Sequence, residues 1–175
     1  MRPSLLLALV PVAITATGCG TDIVGVRDQA DKLKASADAV GSRTVPFKAK
    51  YDFRVVAVGP GPGCTARRFL EGEGTGTYLG HFTITLSFCG RADRTLDTGT
   101  GTFVAANGDL LYITFHGVTD GGFPLLHFTS YVSFTGGTGR FVGVTGDATV
   151  EGVLDIPTGG GPADWNGSIT FPGVS

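Results

Sequence analysis

From Phe47 onward the chain alternates apolar and polar side chains with a period of two, which is the signature of half-buried β-strands. Phe47, Ala49, Tyr51, Phe53, Val55 and Ala57 fall on one face, and Lys48, Lys50, Asp52 and Arg54 on the other. Similar alternation runs through Phe82–Phe88, Leu110–Gly117, Leu125–Phe134 and Thr145–Ile156. Phe69–Thr77 and Gly99–Ala105 are Gly-rich strands, and Trp165–Phe171 closes the series. Glycine contributes 29 of 175 residues, far above its usual share of about 7%. Each glycine weakens a helix interior, so a helix bundle or coiled coil is excluded.

About eight strands joined by short turns predict an all-β, eight-stranded antiparallel up-and-down (calycin-like) barrel over residues 46–172. Closure protects every strand edge; a two-sheet sandwich is the alternative. Asn107-Gly108 predicts a two-residue hairpin turn. A turn near Gly121-Gly122 would pair His116 with His127, Thr114 with Thr129 and Tyr112 with Tyr131. Two imidazoles side by side are too few for a zinc site, which takes three or four ligands, and no metal is expected.

The charged residues set the direction of the faces. Lys48, Lys50, Asp52 and Arg54, like Asp147, Glu151 and Asp155, cannot line a small lumen without a large desolvation cost. The inward set is therefore Phe53, Val55, Phe82, Ile84, Leu86, Leu111, Ile113, Phe115, Phe128, Val132, Phe134, Val150 and Leu154. A barrel of eight strands is either filled by its own side chains or holds one small ligand. Small residues (Ala49, Ala57, Ala105, Gly146, Ala148 and Gly152) can leave a gap at one end. If there is a pocket, its wall comes from Tyr51, Phe53, Phe82, Ile84, Phe115 and Phe128. Tyr51 carries the hydroxyl that parity places inside.

Residues 1–18 have the form of a secretory signal: Arg2, the apolar run Leu5–Val10, then small residues. The apolar stretch is too short to span a bilayer. Thr17-Gly18-Cys19 resembles the lipobox of bacterial lipoproteins, with Ala16 where Leu is commoner. That resemblance implies acylation of Cys19, an anchor in the bacterial cell envelope and a tether over residues 19–45. A plain secretory signal leaving a free Cys19 is the alternative. Arg27–Val40 mixes charges with Ala and reads as a short helix in that tether. Export exposes the chain to an oxidising compartment, which favours a disulfide between Cys64 and Cys89 over two buried thiols. These two cysteines flank the open end of the hairpin formed by Phe69–Thr77 and His81–Phe88.

Thirteen basic against fifteen acidic side chains give a net charge of −2, which argues against nucleic acid as a partner. Gly72–Gly76, Gly99–Gly101 and Gly136–Gly139 have phosphate-loop composition, but no Lys follows with a Ser or Thr and no helix begins there. No Ser-His-Asp order, carboxylate pair or metal cluster stands out. No catalytic residue and no cofactor is assigned, and the balance leans away from an enzyme.

Phe134-Thr135-Gly136-Gly137-Thr138-Gly139-Arg140-Phe141-Val142-Gly143-Val144-Thr145-Gly146, followed by the strand Asp147–Leu154, resembles the allene oxide cyclase-like and dirigent-like barrels. The resemblance implies an often trimeric calycin-like barrel with a central cavity for an apolar molecule. Plant members cyclise a fatty-acid epoxide or steer phenol coupling. Their polar cavity residues match no position here. The expectation is thus a non-catalytic, lipid-anchored barrel that binds a small apolar molecule or serves as a structural envelope component. An isomerase or guide is the other class.

Overall fold

A computed structural model describes residues 41–61 and 64–173. The leader, Cys19 and the Arg27–Val40 segment lie outside the described residues. Eight antiparallel strands follow in order: β1 (Arg43–Gly61), β2 (Cys64–Gly76), β3 (Gly80–Gly90), β4 (Thr95–Val104), β5 (Leu110–Gly121), β6 (Leu125–Gly137), β7 (Thr145–Asp155) and β8 (Gly160–Phe171). Each pairs with its neighbours in sequence, and β8 returns to β1, so the sheet closes into a barrel. This unbroken ring excludes the two-sheet sandwich. Arg43–Val45 already pair with Phe171–Ile169, so the first rungs lie before the boundary drawn at residue 46.

The faces follow the alternation. Phe47, Ala49, Tyr51 and Phe53 are buried, while Lys48, Lys50, Asp52 and Arg54 are exposed. The charged face makes surface pairs, Lys50 with Asp164 at 3.0 Å and Arg54 with Glu71 at 3.5 Å, which stabilise little in water. Alternation ends at a bulge between Val55 and Ala57. One extra residue there reverses the parity, so Ala57, expected inside, is exposed.

One end of the barrel is closed by aromatic rings. Phe47 packs edge-on to Phe134 with centroids 4.8 Å apart, and Phe103 packs on Phe82 at 5.0 Å and on Trp165 at 5.1 Å. Edge-to-face packing is favoured by the ring quadrupoles beyond the area it buries. The Gly136–Gly146 loop folds over this end through a 3-10 turn at Gly139–Phe141, with Phe141 fully buried. Asp109 holds the loop: its carboxylate accepts from the Arg140 backbone N–H at 3.2 Å and from Asn107 Nδ2 at 2.7 Å. The Asn107 bond, with the Arg140 contacts behind it, holds that carboxyl below the usual range. The Gly-rich motif is thus part of the scaffold at the closed end.

Two turns differ from expectation. The Asn107-Gly108 hairpin closes through Ala105 N–H to Asp109 O at 2.9 Å, enclosing three residues rather than two. Only Gly108 is left-handed there, at φ +87°, as the third residue of such a loop requires. The β5–β6 turn centres on Phe123-Pro124, with Gly122 N–H donating to Leu125 O at 3.2 Å. His116 therefore opposes Tyr131, and His127 opposes Asp120. The proposed histidine pair does not form, and neither do the Thr114–Thr129 and Tyr112–Tyr131 pairs. From Ile113 onward the slip is four residues, an even number, so the side chains keep their assigned faces.

Candidate functional site

The end opposite the aromatic plug is open. Inside its mouth lies a cavity of about 150 Å³, walled by Tyr51, Phe53, Leu70, Phe115, Phe128 and Trp165 among others. Its formation follows from residue size. Strands β2 and β7 present glycines inward at Gly72, Gly74 and Gly152, where the facing strands present large rings. A Cβ on Gly72 would stand 2.7 Å from the Tyr51 ring, and one on Gly152 would collide with Phe128. The glycines expected to bend strands also act as recesses that receive neighbouring rings.

Three buried polar side chains interrupt this apolar wall. Ser130 sits on β6 between Phe128 and Val132 and is only 5% exposed. Tyr51 on β1 and Trp165 on β8 lie side by side, ring centroids 6.2 Å apart. Burial pushes the Tyr51 hydroxyl well above the usual phenol range, and the adjacent Trp165 N–H opposes that shift. The N–H nevertheless falls short of hydrogen-bond geometry: Trp165 Nε1 is the buried side-chain polar atom left without a partner among the described residues. An unmet buried donor costs about 1–3 kcal/mol, so a ligand oxygen reaching the floor would relieve it. Tyr51 stays protonated at neutral pH and can donate or accept a hydrogen bond there, but it is no base.

This burial has a consequence at high pH. The Tyr51 phenol ionises more easily in the unfolded chain. Its contribution is fully present below the unfolded value of about 10 and is lost as pH rises above it. Urea unfolding at pH 8 and pH 11 should show a larger loss of stability in the wild type than in Tyr51→Phe. Equal losses would place the hydroxyl in contact with water.

Tyr51, Phe53, Phe115 and Phe128 reach the cavity wall. Phe82 and Ile84 instead lie in the packed interior, each 1% exposed, where Phe82 supports Tyr51 from 6.4 Å. Cys64 and Cys89 form the expected disulfide at the open end, their Cα atoms 5.4 Å apart. Ser130, Trp165 and Arg68 were missed. Ser130 and Arg68 have the inward parity of Phe128 and Leu70. Arg68 escaped because the expected strand begins at Phe69, five residues after β2 starts at Cys64. Among the described residues no group of His, Cys, Asp and Glu is arranged to hold a metal.

No family model matches this chain, and no curated protein does. Among solved structures, a pterocarpan synthase dirigent protein superposes with a TM-score of 0.50 over 77% of this chain and 88% of its own, at 14% identity. The barrel is dirigent-like. At that identity the likeness concerns the fold alone. In this dirigent-like barrel the plug, the cavity and the three polar groups are set by the chain's own residues.

Proposed function

We propose that the chain is an exported, lipid-anchored barrel of the bacterial envelope that holds a small apolar molecule in its open end without covalent chemistry. The observation that carries the ligand is the cavity: a barrel filled by its own side chains would have favoured a purely structural part. A cavity of about this volume, lined by apolar side chains, admits one benzene-sized group, and anything larger extends through the mouth. Export and anchoring rest on the leader and Cys19, and mass spectrometry of the mature N-terminus tests them: an unmodified thiol at Cys19 rejects the anchor.

Trp165 is the sole tryptophan and lines the cavity, so its emission reports binding directly. Titration with toluene or phenol should change that emission with saturation. Val132→Phe fills the space and should abolish the response, at a cost in stability of about 1–3 kcal/mol. A wild type that responds to neither probe removes the reading. A guide that shapes a reactive ligand is the second reading, favoured by Tyr51, Trp165 and Ser130 converging on one apolar space. If Tyr51→Phe leaves phenol affinity unchanged, the passive binder stands and the guide does not.

A further inference from the structure

The mouth of the cavity carries three arginines: Arg68, Arg91 and Arg94. Two are already neutralised. Arg91 Nη2 lies 2.6 Å from Asp97 Oδ2. Arg94 Nη1 lies 3.6 Å from Asp120 Oδ1 and donates to the Gly121 carbonyl at 3.0 Å. Arg68 differs from both. It has the inward parity of Leu70 on β2, is half-buried, and opposes Phe88 across the β2–β3 ladder. Among the described residues it has neither an ion pair nor a side-chain hydrogen bond, whereas its outward neighbour Arg67 donates to Ser87 Oγ at 3.0 Å. Gly90 makes room for it, since a Cβ at that position would collide with Arg68 Nη1.

A half-buried guanidinium pays part of its desolvation cost with no protein anion to offset it. Its planar fork matches a carboxylate in two parallel hydrogen bonds. We infer that Arg68 is the anion-recognition residue of this cavity, and that the ligand class is a small ring-sized carboxylate with its apolar body inside and its anionic group at the mouth. The inference rests on the binding reading above and adds the charge of the ligand to it. Asp97 and Asp120 at the same rim are held by Arg91 and Arg94 and so repel an incoming anion less than free carboxylates would.

The test compares two probes with the same ring, benzoate and benzyl alcohol, by Trp165 emission on the full chain at pH 7 and low salt. Charge-assisted hydrogen bonds predict a preference of about tenfold or more for benzoate. Arg68→Gln should bring the two affinities together without weakening the alcohol, and Arg68→Lys should restore part of the preference. Raising salt should reduce the benzoate advantage alone, because screening acts on the charge. If the alcohol binds and benzoate gains nothing, or if Arg68→Gln keeps the preference, Arg68 has no such role while the binding reading survives. If neither probe binds, both are overturned.

Discussion

Phe103→Ala is expected to cost about 3–5 kcal/mol of folding stability. The ring is fully buried and touches Phe82, Trp165 and Phe47 at once. These neighbours belong to β3, β8 and β1, held in place by backbone ladders, so they can close only part of the void. Urea unfolding should show a lower midpoint with an unchanged slope, the mark of lost stability rather than a changed unfolded state. Phe123→Ala is the matched control, because that ring is 81% exposed at the β5–β6 turn; it should stay within about 0.5 kcal/mol. Phe103 does not line the cavity, so probe binding should persist in the variant, while Trp165 emission shifts because its packing partner is gone. A cost below about 1 kcal/mol would mean that the closed end is not plugged.

What the sequence made legible is what depends on parity. Period two fixes a face for every residue between irregularities, and it survived a four-residue error in the β5–β6 register. It failed at the bulge after Val55, where a single extra residue exposed Ala57. Turn chemistry was less readable. The turn expected at Gly121-Gly122 forms instead at Phe123-Pro124, because hydrogen bonding across the turn and pairing with β7 decide the register together. The cavity was the least legible part. Whether a barrel is filled depends on how rings from one strand settle over glycines of the next, as Tyr51 does over Gly72. Alternation says nothing about that volume. Arg68 and Ser130 were readable in principle: each continues an inward run by one step of two, but Arg68 lies before the expected strand start at Phe69, and Ser130 is polar where apolar residues are expected.

Breaking the Cys64–Cys89 bond should cost about 3 kcal/mol. The bond closes a loop with a sequence separation of 25, and the chain-entropy argument gives roughly that value for such a loop. For a barrel of this length that corresponds to a fall in Tm of roughly 10 °C. Thermal scans of Cys64→Ser/Cys89→Ser, and of the wild type with reductant, should agree. The location adds a second expectation. Cys89 opposes Arg67, and Gly90, which makes room for Arg68, opposes Ala66. The disulfide therefore ties the start of β2, beyond its last rung with β3, to Cys89, whose own rung adjoins that of Arg68, close to where β3 loses register with β4 between Ser87 and Cys89. Without the bond, the end of β2 is freer to fray. The benzoate preference should then shrink more than benzyl alcohol affinity, because the ring sits deeper among Tyr51, Phe53 and Trp165 than the charge does. Loss of both affinities in equal proportion would instead show that the bond supports the whole cavity rather than its rim.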